Sequence, residues 1–403
     1  MNIKLGKNDI LLYAAIANIS YEAVATACYS ILGNGKWIRL CLIIALLLIN
    51  LLSMCVNNSK LHILIALAVV FGGLFTITAV FYPVNREFIF GSVADIVRYT
   101  LLAYSVAALP TEFAERALKI SAYIIFLTGI LEPFTHYVTG GRLGYMVYGM
   151  RMLTAAVLLF CFYFREKQLV HFIAGAGCSV LVLLYGNRSA LLIIAVCFIF
   201  QWLVFTSTEK RILRGIASVF ACLSLVLVLA SNFLDVVSVF LEKLGISSRT
   251  MNKLLEGADA AFDNSGRSVI WKNCRDAISR NPILGYGVGG DRYLGLLGER
   301  YTEVNGNGIY AHNFIYEILI EFGVVLGIML LSVMAVFVIL VIRNKYKWPM
   351  KKIYVIFLLS TVIKLSVSSS LWVDMSFYLC LGIVINYFVF GRRKVRHRMM
   401  EIA

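Results

Sequence analysis

The sequence predicts an all-α, polytopic integral membrane protein of about 12 transmembrane helices, with both termini cytoplasmic and one large exoplasmic loop between helices 9 and 10. Three observations predict it. Of 403 residues, 60% are hydrophobic and 15% charged, and the mean hydropathy is +0.84, too apolar for a soluble domain of this length. The apolar stretches run to about 20 residues, the length that crosses hydrocarbon as a helix. They lack strict alternation, and since lipid offers no partner to backbone N–H and C=O, this excludes a β-barrel. Lys and Arg gather in the short segments between the stretches.

Taken in order, the spans are expected near residues 10–32, 37–56, 61–82, 88–109, 117–137, 145–164, 169–185, 189–206, 213–234, 320–342, 353–371 and 374–390. Asn18, Ser20 and Glu22 make a poor signal-peptide core, so the first helix is expected to be retained. Pro83 and Pro110 fall between spans, where a missing N–H costs nothing. Asp95 and Arg98 in span four are spaced i, i+3 and can pair on one helix face. Arg151 in span six and Lys364 in span eleven are ionisable groups at membrane depth; with Glu317 they are candidates for lining a polar cavity open to the exoplasmic face.

With the N-terminus inside, the cytoplasmic segments hold 20 Lys and Arg and the short outer turns hold 5. That asymmetry fixes the orientation. It also accounts for the net charge of +15 without nucleic acid as a partner. Long loops escape the rule, so residues 235–311 are placed outside. The chain thus divides into helices 1–9 (1–234), a large exoplasmic loop with short helices that carries the chemistry (235–311), and helices 10–12 with a basic cytoplasmic tail (312–403). Nine Cys without a Cys-x-x-Cys pair and five scattered His support no zinc site, and neither a metal nor a cofactor is expected. No internal repeat is visible, and a single large outer loop after span nine argues for an external site over a rocking transport pathway.

Four short segments carry candidate chemistry. Gly186-Asn187-Arg188-Ser189 is a tight outer turn that puts Arg188 at the start of span eight. Ser265-Gly266-Arg267 opens a helical pattern that must end at Asn281-Pro282, with Ser265 as the N-cap. Pro282-Ile283-Leu284-Gly285-Tyr286-Gly287-Val288-Gly289-Gly290 allows either a nest of amides facing an anion or, more simply, a turn leading off that helix. Ala311-His312-Asn313 stands where the loop re-enters the membrane, at a third helix N-terminus, where the dipole favours neutral imidazole. Taken alone, each has a plainer reading: an interfacial or solvated arginine, a turn, a backbone-capping histidine. The derived topology, however, puts Arg188, Arg267 and His312 on one face. Two cations and one base at helix N-termini suit a substrate with a pyrophosphate and a hydroxyl acceptor.

These segments, together with Trp271, Glu317, Glu321-Phe322-Gly323 and Gly327, resemble the bacterial O-antigen ligase and O-antigen or capsular polysaccharide polymerase superfamily in order and spacing. The resemblance covers about the C-terminal half. It implies a glycosyltransferase of the bacterial cytoplasmic membrane that works on the exoplasmic face without metal, with undecaprenyl-pyrophosphate-linked glycans as donor and acceptor. By the same resemblance Arg188 and Arg267 hold the pyrophosphate and His312 activates or positions the acceptor hydroxyl. The run from His312 to Gly323 looks more like the polymerases, which join lipid-linked repeats, than the ligases, which move a finished glycan to the lipid A core. The lipid bilayer is the surrounding partner, a chain-length regulator a further one, and a lipid-linked glycan or solute transporter the rival class.

Overall fold

The computed structural model describes residues 6–32, 36–139, 144–185, 188–205, 267–296, 309–343 and 350–391. Among these, the regular structure is helical. The helices are α1 (Lys7–Leu32), α2 (Lys36–Val56), α3 (Leu61–Phe81), α4 (Arg86–Ala108), α5 (Thr111–Thr139), α6 (Tyr145–Glu166), α7 (Leu169–Tyr185), α8 (Arg188–Phe205), α9 (Arg267–Arg280), α10 (Phe314–Arg343), α11 (Lys351–Val367) and α12 (Met375–Asn386). Span nine, expected over 213–234, lies outside the described residues, as do Ser265 and both ends of the chain.

Among the described residues, seven helices are long and apolar enough to cross a membrane: Lys7–Leu32, Trp37–Val56, Asn58–Phe81, Pro83–Ala108, Tyr145–Glu166, Arg188–Phe205 and Phe314–Arg343. Leu169–Tyr185 and Met375–Phe390 are shorter apolar helices. The prolines punctuate the bundle as expected. Pro83 starts a single 3₁₀ turn between α3 and α4, and the Pro110 carbonyl accepts the amides of Phe113 and Ala114 as α5 begins.

Burial sorts the helices into an inside and an outside. In α6, 83% of the most apolar window is buried, against 11% in α10 and 17% in α2. The outer helices present side chains such as Leu51, Val69, Val325 and Met329 to the surroundings. So many bare aliphatic groups are stable only in lipid, so the chain is a multi-pass membrane protein.

Several polar side chains inside the bundle are paired across helices, as an apolar solvent favours. Asn18 of α1 donates to Asn50 of α2 at 2.9 Å, Gln201 of α8 to the Val157 carbonyl of α6, and Asn386 of α12 to the carbonyls of Val106 and Leu109. Arg151 meets Glu132 of α5 at 2.7 Å. Arg98 pairs with Asp95 at 3.2 Å, as its spacing predicts, and more closely with Glu22 of α1 at 2.7 Å. Small residues let helices approach: a Cβ on Gly382 would stand 2.7 Å from the Ala103 carbonyl oxygen.

Candidate functional site

The site is built at the end of the bundle where α3 gives way to α4, α7 to α8 and α11 to α12. Here α10 is broken: Gly323 has φ 72° and ψ 175°, a conformation open essentially to glycine alone. The break releases backbone groups that the glycine-rich run then takes up. Tyr286 and Gly287 donate their amides to the carbonyls of Ile320 and Glu321, and Val324 donates to the Pro282 carbonyl. Gly285, Gly287 and Gly289 all have positive φ, and a Cβ on Gly285 would sit 2.5 Å from the Glu321 oxygen. The run is therefore a turn that splints a broken helix. It is not an anion nest: its amides are spent, with Gly289 donating to the Glu321 carboxylate at 2.6 Å.

Behind this splint lies a buried carboxylate cluster. Oxygens of Asp291, Glu317 and Glu321 lie within 4.8 Å of one another, close enough to hold a metal ion by count. Each of the six oxygens already accepts a hydrogen bond. Asp291 takes Arg292 and the Ala311 amide, Glu317 takes the Ser370 hydroxyl and the Leu371 amide, and Glu321 takes the Gly289 amide and the Trp372 indole. The positive charge is supplied from within by Arg292, 2.8 Å from Asp291 and 3.7 Å from Glu317, with its guanidinium 3.9 Å over the Phe88 ring. The carboxylates beside it raise the Arg292 pKa against the pull of burial.

The cluster sets the position of His312. The Ala311 amide is fixed on Asp291 at 2.9 Å, and Asn313 caps α10 by accepting the amides of Ile315 and Tyr316. Between these two clamps His312 is held at φ 51°, a strained setting for a side chain of this size that persists because its surroundings impose it. Its Nδ1 is buried and has no hydrogen-bond partner among the described residues. The ring lies 4.0 Å, centroid to centroid, from the ring of Tyr310, whose hydroxyl donates to the Ser368 carbonyl. Burial, then the charges of Arg267 and Arg292, push the His312 pKa down to about 4, so the imidazole is neutral at ordinary pH.

Arg188 and Arg267 are the first described residues of α8 and α9. The two sit close enough to repel: burial lowers the Arg267 pKa, and the charge of Arg188 lowers it further. Tyr310 also faces Arg267. His312 thus lies against Tyr310 and within electrostatic reach of Arg267, which in turn lies within electrostatic reach of Arg188. Asp291, Arg292 and Tyr310 were not singled out from sequence, although a charged pair directly after a glycine run and an aromatic two residues before His312 were there to be read.

Next to Tyr310 a cavity of about 790 Å³ opens, walled by α1, α2, α4, α6, α11 and the turn before α12. Arg151 and Lys364 line it. Glu317, expected on the same wall, does not: Ser370 and Leu371 turn its carboxylate into the cluster, where it is 1% exposed.

The fold defines a multi-pass membrane protein with a buried polar cluster beside His312. Residues 173–331 match the family model for O-antigen ligase, and over that region the superfamily resemblance read from the motifs is borne out. The match takes in Arg188, Arg267, the glycine-rich splint and His312. A search of curated proteins finds no match to the chain.

Proposed function

We propose that the protein is an exoplasmic-face glycosyltransferase of the bacterial cytoplasmic membrane that polymerises undecaprenyl-pyrophosphate-linked repeat units. The observation that supports this reading is a neutral His312 lying against Tyr310 within electrostatic reach of Arg267, with Arg188 within electrostatic reach of Arg267. Two guanidiniums within electrostatic reach of each other suit a dianion, and a neutral imidazole near Arg267 accepts a proton or a hydrogen bond.

In the reaction, an acceptor sugar hydroxyl attacks the anomeric carbon of the donor. A glycosidic C–O bond forms as the bond from carbon to pyrophosphate oxygen breaks, and the electron pair leaves with undecaprenyl pyrophosphate. The hydroxyl proton passes to His312 Nδ1 or Nε2. Single displacement inverts the anomeric centre. Arg188 and Arg267 stabilise charge that grows on the leaving group, so no metal is called for in this scheme.

The description of the matching family favours a second reading, transfer of a finished glycan to a lipid A core by the same chemistry. One experiment separates the two. Purified protein is given lipid-linked repeat units with chelator present, with and without lipid A core. A ladder of lengthening lipid-linked glycan establishes the polymerase, and reaction only with core present establishes the ligase. In the active system, Arg188→Ala or Arg267→Ala each lowers the rate about 10²–10³-fold, the loss typical of one transition-state donor. A normal rate from either variant rejects the mechanism.

A further inference from the structure

We propose that the cavity beside Tyr310 binds the terminal sugars of the acceptor glycan, delivering a hydroxyl to His312 from the side away from the two arginines. The inference rests on the transferase reading above and adds a substrate site to it. Three observations carry it.

The first is placement. Tyr310 contributes to the cavity wall, lies ring to ring with His312, and faces Arg267. Neither Arg188 nor Arg267 lines the cavity. A single displacement needs nucleophile and leaving group on opposite sides of the reacting carbon, and a sugar held in a cavity that neither arginine lines leaves the arginines free for the leaving group.

The second is charge. Three of the cavity's four cations are matched by carboxylates, Arg98 by Glu22 at 2.7 Å, Lys364 by Asp374 at 2.8 Å and Arg151 by Glu132 at 2.7 Å, while the fourth, Arg39, sits 5.5 Å over the Tyr29 ring. A pyrophosphate entering here would have to displace these partners. A neutral polyhydroxyl ligand would not, because a paired carboxylate keeps acceptor capacity and a paired guanidinium keeps donors.

The third is unmet hydrogen bonding. Arg98 Nε and Arg151 Nε are buried without a hydrogen-bond partner among the described residues, and Arg151 is only 5% exposed. Buried donors left open in a polar cavity call for a ligand acceptor. Tyr21 and Tyr29 also line the cavity, with Arg98 5.3 Å over the first ring and Arg39 5.5 Å over the second. The volume of about 790 Å³ falls within the range of roughly 300–1,000 Å³ usual for ligand pockets.

The test uses the full-length protein in detergent and two probes. One is the phosphate-free oligosaccharide released by mild acid from the host cell's own lipid-linked glycan; the other is farnesyl pyrophosphate. Binding is followed by saturation-transfer NMR in wild type, in the cavity-filling variants Ala94→Trp and Met146→Trp, and in Arg188→Ala. The expected result is sugar binding weakened at least tenfold in both filling variants and unchanged in Arg188→Ala, with farnesyl pyrophosphate showing the reverse. Retained pyrophosphate binding in the filling variants shows that they are folded. Full sugar affinity in the filled proteins, no sugar binding by wild type, or loss of pyrophosphate in place of sugar overturns the proposal. Failure of the parent reading looks different: Arg188→Ala would then keep both pyrophosphate binding and polymer formation, whatever the sugar does.

Discussion

His312 shows how one residue's setting fixes its chemistry. An exposed histidine titrates near 6.5 and would be half charged at mildly acidic pH, unable to accept a proton. Burial and two neighbouring guanidiniums push this one down to about 4. The sign follows directly. The imidazole stays neutral as pH falls from 8 to about 5 and gains its proton only as pH approaches 4, so an activity that needs the neutral ring holds through pH 6.5 and is lost below about 5. Initial rates of polymer formation between pH 4 and 8 measure this, and an inflection near 6.5 contradicts it. His312→Gln keeps a hydrogen bond but has nothing to titrate; if proton transfer matters, its rate falls about 10²–10⁴-fold and the acid limb disappears. The same depression costs stability in acid. Below about 6.5 the unfolded chain takes up a proton that the folded one refuses, so folding weakens steadily toward pH 4.

At the scale of elements, the decisive feature is the broken α10 and its splint. The sequence made part of this legible. Asn281-Pro282 marks the end of α9, the glycines mark a turn, and apolar run lengths locate helices within a few residues of where they lie. The start of α8 near Arg188 and the turn before α10 at His312 were legible too. What could not be read was the break at Gly323. A glycine within a long apolar run looks like any tolerated small residue, and only the partner loop, some 40 residues earlier in the chain, shows why it is needed. Glu317 misled for a related reason: helical position alone does not say that Ser370 and Leu371 hold its carboxylate. The break gives a sharp prediction. Ala at 323 would keep a φ that costs a side chain about 1–3 kcal/mol. It would also push a Cβ to 2.3 Å from the Ile283 oxygen, which is backbone and cannot swing aside. Gly323→Ala should therefore lower the melting temperature in detergent and speed tryptic cutting after Arg280, whereas Gly72→Ala, with nothing within 4 Å of its Cβ, should do neither.

Across the whole molecule, the carboxylate cluster is what joins the loop segments to the helices. Its three acids come from the segment after the splint and from α10, and their donors come from that same segment, from residue 311 and from the turn between α11 and α12. Arg292 stands at the centre, bonded to Asp291 and Ser370 and stacked on Phe88 of α4. Three carboxyl groups and one guanidinium share a buried space, where backbone amides, a hydroxyl and an indole N–H supply the remaining hydrogen bonds. Removing the guanidinium removes the only cation in contact with the acids among the described residues. Loss of one partner from a buried ion pair typically costs about 3–5 kcal/mol, because the charge left behind has no water to solvate it. Arg292→Met fills similar space without charge, so its cost measures the electrostatic part. We expect Arg292→Met to fold at low pH, where the carboxylates can take up protons, and to lose stability steeply as pH rises through neutrality, the opposite trend to the acid lability conferred by His312. Arg292→Lys, which keeps the charge but not the two-armed geometry, should recover most of the stability at neutral pH and less of the activity, since the fork that reaches both Asp291 and Ser370 also sets the Ala311 clamp beside His312. Melting curves of the three proteins from pH 5 to 8 decide the matter: a pH-independent loss in Arg292→Met would mean that the residue acts by packing on Phe88, and the cluster would then not be an electrostatic joint.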